Sequence, residues 1–234
     1  MKKLMLWLTM GAVLPIGFVS CNNDDDDGGG GSETVTSISA SNVVNGSSQI
    51  VSVAAWASWD DGVDWGWETI AQSAYNNGFT LQLPANLAAK FLDSFEGIPS
   101  TISVSNTNAL TFLLDEISGF NSAGEEIGYF YLAKITSDAG YYTSWMYADS
   151  NVTVKGQVED EDGLTTLDLN LKQGWNVIYD TYTESSVSMT SAKPSGISYT
   201  WNFYPNSSYV SARMAAKSNE NVKSGFLKLK DKRK

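Results

Sequence analysis

The chain has 234 residues, enough for one all-β domain of good size or two small domains. It contains no histidine and a single cysteine, which excludes a Ser-His-Asp triad, a Cys/His zinc site and a disulfide within the chain. The formal net charge is −11; Lys2 and Lys3 carry +2 and residues 211–234 carry +6, so residues 21–210 sum to −19. A body this acidic repels polyanions, which argues against nucleic acid as a partner.

The first twenty residues have the pattern of a secretory signal. Two lysines precede a mostly apolar run, residues 4–18, which is too short to span a hydrocarbon core of ~30 Å. The run ends in FVSC (18–21), which resembles the lipobox of bacterial lipoproteins. The resemblance implies removal of residues 1–20, acylation of Cys21 and a lipid anchor in the bacterial outer membrane. An ordinary secretory signal that ends beside an incidental thiol is the alternative.

An acidic, glycine-rich segment, NNDDDDGGGGS, follows the cysteine, so that residues 21–32 separate the signal from the body. Like charges and glycines bury no apolar area, and we expect a solvated, disordered tether. An acidic run directly after a lipidated cysteine also resembles the export signal of surface-exposed lipoproteins in Bacteroidota. This resemblance implies that the domain faces the cell exterior; a plain charged linker is the alternative.

Residues 33–210 are predicted to form a single all-β domain. Short strand-like segments alternate with short turns, the pattern of an antiparallel meander closed as a β-barrel or packed as a β-sandwich. The turn dipeptide Asn45-Gly46 predicts a hairpin between its two flanking segments. A second NG dipeptide leads into FTLQLP (79–84), where apolar and polar residues alternate as in a half-buried strand.

One segment breaks the β pattern. In PANLAAKFLDSFEG, Pro84 precedes apolar residues at helical spacing and Gly97 follows them, which predicts one short amphipathic α-helix at about 85–95. The later segments LKQGWNVIY and KPSGISYTW are similar to the C-terminal hairpins of uncharacterised Bacteroidota surface lipoproteins, which implies an all-β architecture but no particular activity. Residues 211–234 are basic, and we expect them to form a flexible tail.

The densest candidate site is WASWDDGVDWGWE (56–68). Its candidate ligand-binding side chains are four indoles and two carboxylates: Trp56, Trp59, Trp65, Trp67, Asp60 and Asp64. Indoles offer flat apolar faces that stack on sugar rings, and carboxylates accept hydrogen bonds from sugar hydroxyls. In a strand, Trp65 and Trp67 point to one face, and Gly66 between them admits a ligand or a neighbouring strand. Packing of the indoles in the core or at an edge is the alternative.

Two further patterns have structural explanations. On the predicted strand YYTSWMY (141–147), Trp145 and Tyr147 share a face with Tyr141 while Tyr142 points away, as expected for a core side and a wet side. The run EDEDG (159–163) predicts a solvated hairpin tip. The residue spacing of a calcium loop is absent, so no metal site and no cofactor are predicted.

The sequence favours a lipid-anchored binding module without catalysis, with a glycan as the favoured ligand. Its partners would be the membrane, through the acyl group on Cys21, and a glycan or a surface protein. A structural or adhesive component of a surface assembly, which pairs through an edge strand, is the first alternative. The second is a glycosidase whose carboxylates would come from Asp60, Asp64 and Glu68.

Overall fold

The computed structural model describes residues 32–60, 64–114, 116–160 and 163–206, and within them the chain is all-β, as predicted. The described strands are β1 (Thr34–Val35), β2 (Ser37–Ser41), β3 (Ser52–Asp60), β4 (Trp65–Ala74), β5 (Gly78–Gln82), β6 (Asp93–Ser94), β7 (Ile102–Val104), β8 (Leu110–Leu114), β9 (Ile117–Phe120), β10 (Glu126–Ile135), β11 (Gly140–Ala148), β12 (Val152–Asp160), β13 (Gly163–Leu171), β14 (Gly174–Tyr182), β15 (Ser186–Thr190) and β16 (Thr200–Pro205). Fourteen of them form one large sheet, and β2 and β5 form a small one.

The large sheet is mixed rather than a simple antiparallel meander. Its main path runs β4-β3-β9-β10-β11-β14-β15-β13-β12-β7, with β1, β6, β8 and β16 paired beside this path. Most neighbours are antiparallel, but β13 and β15 run parallel. Within the described residues, the two ends of the path, β4 and β7, do not pair with each other, so the sheet is not closed as a barrel.

Strands β11 and β14 form the centre of the molecule. They pair in register along their whole length of nine residues, and both faces are covered along β14 and the second half of β11. On β11, Trp145 and Tyr147 pack into a larger hydrophobic core, whereas Met146 and Ala148 pack into a smaller one. The alternation of side chains along a strand therefore divides one pair of strands between two cores.

The two cores are built from different parts of the chain. The larger core lies against β2, β3, β5, β10 and β16, and Trp201 of β16 stacks on Trp145 with a centroid distance of 5.9 Å and an interplanar angle of 7°. The smaller core is covered by the β12–β13 hairpin and β15, which contribute Val154, Leu167 and Met189. These cores place the β3–β4 hairpin on the side of the larger one.

The predicted α-helix at about 85–95 is wrong. The segment contains one short 3-10 helix, Ala89–Phe91, flanked by extended backbone at Ala88 (ψ 142°) and Leu92 (ψ 137°), and then β6. Phe91 packs into the larger core and Phe95 into the smaller one. A helix would place these residues on one face, so serving both cores requires an extended chain.

The predicted hairpin about Asn45-Gly46 is also wrong, although the turn forms. Asn45 has a left-handed backbone (φ 59°), but Val44 before it bridges to β16, where its N–H donates to the Trp201 carbonyl at 2.8 Å. Strand β2 pairs instead with β5, in the alternating segment that the sequence predicts correctly. A turn dipeptide thus specifies the local chain reversal but not the partner strand.

Asn176 ties the end of β11, the Lys172–Gly174 turn and the N-terminal segment together. Its side chain is fully buried, and its amide group donates towards the carbonyls of Lys172 (2.8 Å), Gly174 (2.9 Å) and Met146 (3.3 Å). Its Oδ1 accepts hydrogen bonds from the Ser32 hydroxyl and the Lys172 N–H.

Replacing Asn176 with alanine should lower the free energy of unfolding by about 1–3 kcal/mol, because buried backbone groups lose their partners. Chemical denaturation monitored by tryptophan fluorescence measures this change. Asn108→Ala, at an exposed turn, is the control and should stay within about 0.5 kcal/mol of wild type. Equal stability of the two variants would contradict the role given to Asn176.

Candidate functional site

The candidate site lies on the β3–β4 hairpin, whose two faces have different surroundings. Val53, Ala55 and Ala57 of β3 are fully buried in the larger core, so the alternate residues of this strand point to the opposite, outer face. The register shifts between Ala55 and Trp56, where β4 contains an extra residue, Ile70. Beyond this bulge the hairpin extends past the part of β3 that pairs with β9.

Trp65 and Trp67 lie together on the outer face, as the sequence predicts. They stand opposite Asp60 and Ser58 in the register and are 70% and 55% exposed. The Asp64 carboxylate accepts a hydrogen bond from the Trp65 N–H at 2.9 Å and so holds the backbone where β4 begins. Two large apolar rings side by side in solvent are unusual in a folded domain, where indoles are mostly buried.

Trp56 lies on the same outer face but is half-buried. Its ring packs against Phe120 of β9, with centroids 5.9 Å apart and planes inclined by 52°. Its Nε1 is buried and finds no hydrogen-bond acceptor among the described residues. Trp56 therefore joins the projecting end of the hairpin to the sheet rather than presenting a free ring face.

Trp59 points the other way and packs against the larger core. Its ring lies over Gly66, where a Cβ would come within 3.1 Å of the indole. The space above Gly66 is therefore filled by Trp59 of the same hairpin. The sequence had suggested that a ligand or a neighbouring strand would lie there. Of the four predicted indoles, the structure brings three to the outer face and places one on the inner face.

Lys90 fixes the hairpin from the inner side. Its ammonium forms an ion pair with Glu68 and lies 5.1 Å from the ring centroid of Trp59 and 5.0 Å from that of Phe91. Each contact at such an exposed position contributes about 1 kcal/mol or less. Their joint effect is to orient the hairpin against the 3-10 helix, with the indoles of the outer face directed away.

The two predicted carboxylates whose side chains the structure describes, Asp64 and Glu68, do not come together. Asp64 is exposed at the start of β4, and Glu68 lies on the inner face with Lys90, away from the exposed indoles. Asp60 ends β3 opposite Trp65, and Asp61 lies outside the described residues. Among the residues that the structure describes, no group of three or more His, Cys, Asp or Glu side chains is arranged to hold a metal ion.

A row of tyrosines, which the sequence interpretation missed, lies elsewhere on the large sheet. Tyr204, Tyr131, Tyr142 and Tyr182 contact one another in this order, with edge-to-face rings at centroid distances of 5.7, 6.4 and 5.5 Å. We call these four residues the tyrosine ladder. Tyr129 and Tyr131, two residues apart in GYFYL, were the available signal, because such a spacing puts both on one face of a strand.

Asp180 lies beside the tyrosine ladder and is the other residue that sequence reasoning overlooked. It stands opposite Tyr142 in the β11–β14 register and is 5% exposed. Its Oδ2 accepts a hydrogen bond from the Ser144 hydroxyl at 2.7 Å, and its Oδ1 has no partner among the described residues. Burial raises the pKa of the Asp180 carboxyl to about 7, and the Ser144 hydrogen bond opposes the shift only in part.

The same environment affects neighbouring hydroxyls. Burial raises the pKa of Tyr182 well above its ordinary value, and the nearby Asp180 and Tyr142 raise it further. The Tyr199 pKa rises to about 12, again mainly through burial. These phenols therefore stay protonated at neutral pH and remain hydrogen-bond donors.

Comparison with known proteins finds no match: no protein-family model, no curated protein and no solved structure resembles the chain. Among the described residues, no helix has the length and apolar character needed to cross a bilayer. Cys21, the tether and the basic tail 211–234 lie outside the described residues. The functional argument therefore depends on the residues of the outer face.

Asp180 should make stability depend on pH in a defined window. Because its folded pKa of about 7 lies above the ordinary 3.8, the folded state keeps a proton that the unfolded state releases, so the free energy of unfolding should fall between about pH 4 and pH 7. Asp180→Asn should remove this decline, and its advantage over wild type should grow across the window by at most ~4 kcal/mol. Denaturation at several pH values measures it.

The control for this experiment is Asp168→Asn on β13, whose exposed carboxylate pairs with Lys155 at 2.8 Å. This variant should keep the wild-type pH profile. A wild-type profile in Asp180→Asn would show that the Asp180 carboxyl titrates normally in the folded protein.

Proposed function

We propose that the protein is a non-catalytic binding module for a glycan, displayed on the bacterial cell surface by a lipid anchor. The observation that supports glycan binding is the pair of exposed indoles, Trp65 and Trp67, on one face of a hairpin whose other face is packed. Flat rings at fixed positions suit the apolar faces of sugars, and they bind at a low cost in conformational entropy because the hairpin is already ordered.

The surroundings of the two indoles fit the same ligand class. Ser58 and Thr69 lie on the outer face beside them and are exposed, and Asp64 lies where β4 begins. Hydroxyl and carboxylate oxygens accept hydrogen bonds from sugar hydroxyls while the rings stack. Proteins rarely expose clustered large apolar side chains without a binding role, which gives these rings a functional explanation.

A structural or adhesive role is the second candidate. Strand β4 ends the path of the large sheet and has β3 as its one partner among the described strands. An open strand edge can accept a strand from another protein. The projecting hairpin could serve this role, but the exposed indoles would then have no ligand of their own.

A carboxylate glycosidase is the least supported candidate. Such enzymes need two carboxyl groups that flank the bond to be cleaved. Of the three acids that the sequence offered, Glu68 lies on the inner face in an ion pair with Lys90. The buried Asp180 carboxyl, with its raised pKa, has no described carboxylate beside it in the register.

The proposed location depends on residues outside the described part of the chain. The FVSC motif supports lipidation of Cys21, and the acidic tether supports display towards the exterior. One acyl chain gives marginal membrane binding, whereas two or more anchor a protein firmly, so the proposal includes a di- or triacylated cysteine.

Replacing Trp65 or Trp67 with alanine should weaken glycan binding while the fold survives. The loss of one stacking ring corresponds to about 0.5–1.5 kcal/mol, or roughly two- to twelvefold in Kd, and the double variant should lose about tenfold or more. A glycan array identifies the sugar, and calorimetry then gives Kd. Asn108→Ala, at an exposed turn away from this hairpin, is the control and should bind like wild type. If the wild-type protein binds no sugar, or the double variant binds as well as wild type, the proposal fails.

The lipid anchor gives a separate prediction. Protein purified from the native host should begin at Cys21 and carry a mass increment for two or three acyl chains, and Cys21→Ser should leave the membrane fraction. Proteolysis of intact cells then distinguishes exterior from periplasmic display. Mass spectra that show a free thiol, or residues 1–20 still attached, would rule out the anchor without touching the glycan proposal.

A further inference from the structure

We infer that the glycan-binding surface continues from the exposed indoles across the same sheet face to the tyrosine ladder, so that the ligand is an extended, uncharged oligosaccharide chain rather than a single sugar. This inference rests on the proposed function and names the ligand class. It concerns the outer face of β3, β9, β10 and β16 together with the adjoining part of β11.

The register shows that the indoles and the tyrosine ladder share this face. Trp56 lies two residues beyond Ala54 on β3, and Ala54 stands opposite Ser118 of β9. Ser118 in turn stands opposite Tyr129 of β10, and Tyr129 opposite Tyr204 of β16. Directly paired residues point to the same side of a sheet, so the outer face passes unbroken from Trp56 to Tyr204.

The connection to the remaining tyrosines follows the same reasoning. Tyr131 is two residues from Tyr129, and Ala133 two further along stands opposite Tyr142 of β11. The edge-to-face contacts of the tyrosine ladder fix the inclination of each ring. Tyr182 is buried, but Tyr131, Tyr142 and Tyr204 are half-buried and can offer a ring edge and a hydroxyl group to a sugar.

The face between the two aromatic groups is lined by the half-buried rings of Trp56, Phe120 and Tyr129, whereas Ala54 and Ser118 are only 2% and 1% exposed. Its strands contribute the small residues Ala54 and Ser118, flanked by Phe120, and the Tyr129 hydroxyl donates to the Glu126 carboxylate at 2.6 Å. Three strand spacings separate β3 from β16, about 14 Å at ~4.8 Å each. A ligand that reaches from Trp67 to Tyr204 must therefore contain several sugar units.

The charges on this face select against anionic chains. None of the outward residues on the described strands β3, β4, β9, β10 and β16 that carry this surface is Lys or Arg, whereas Glu126 is exposed there and Asp64 lies at the rim. The chain from 21 to 210 is also strongly acidic, with a formal sum of −19 derived from its residues. On these described strands a uronate or sulfate group would find no outward cationic partner, and the acidic groups would repel it.

The experiment measures Kd by calorimetry for neutral gluco- and manno-oligosaccharides of two to six units, and for polyuronate oligomers of the same lengths. Wild type should bind the six-unit neutral chain about tenfold or more tightly than the two-unit chain and should not bind the polyuronate. Tyr131→Ala and Tyr204→Ala should weaken six-unit binding by roughly two- to twelvefold and leave two-unit binding unchanged. Trp67→Ala should weaken both.

The controls separate binding from folding. Tyr141→Ala removes a half-buried tyrosine next to Tyr142 that points to the opposite side of β11, and it should bind the six-unit chain like wild type. If Tyr204→Ala has a lower melting temperature than wild type, Tyr204→Phe keeps the ring and tests what the hydroxyl group contributes to binding. The inference would be overturned if affinity did not increase beyond two sugar units, or if the tyrosine-to-alanine variants bound the six-unit chain as tightly as wild type. Neither result would contradict glycan binding itself. Tight polyuronate binding would overturn the charge argument, and absence of any sugar binding would remove both proposals.

Discussion

The pairing of β11 with β14 is the constraint on which the rest of the structure depends. Strand β14 and the second half of β11 are covered on both faces, so their alternating residues must satisfy two cores at once, with Trp145 in the larger and Met146 in the smaller. Parallel or antiparallel strands buried on both sides lose the simple apolar-polar alternation. The β12–β13 hairpin covers the smaller core on one side of this pair, and β3, β10 and β16 contribute to the larger core on the other.

This arrangement explains how the candidate site is held without being buried. The first half of β3 is anchored by pairing to β9 and by its alanines in the larger core, while the second half projects with β4 alone. On the inner face, Trp59 fills the space above Gly66 and Lys90 joins the hairpin to the 3-10 helix. Rigidity thus comes from the inner face, whereas the outer face leaves Trp65 and Trp67 in solvent. Period-two alternation gives this hairpin two different faces, because residues an odd number of positions apart on one strand, such as Trp56 and Trp59, point in opposite directions.

Local patterns in the sequence predicted most of the strands and the orientation of Trp65 and Trp67, but they did not predict which strands pair with each other. The alternation in GFTLQ predicted β5, yet nothing local indicates that it pairs with β2 rather than following a hairpin from Asn45. The apolar spacing of 85–95 suggested a helix because sequence periodicity does not reveal that Phe91 and Phe95 enter different cores. The contact between Lys90 and Trp59 and the burial of Asp180 likewise depend on distant segments. Tertiary packing decides such features, and local propensity cannot anticipate them.

Two features of the large sheet are unfavourable for stability. Exposed indoles at Trp65 and Trp67 forgo burial of apolar area, and the Asp180 carboxyl is desolvated with one oxygen unpartnered. Polar replacements for the indoles and a neutral residue for Asp180 would relieve both costs without disturbing either core. Local violations of folding rules of this kind tend to lie at functional sites. Asp180 stands opposite Tyr142 near one end of the tyrosine ladder, and the other end, Tyr204, lies on the edge of β10 opposite to β9. The proposed glycan binding accounts for the exposed indoles. Asp180, which is 5% exposed on β14, lies outside that surface, and its cost appears instead as the pH dependence of stability.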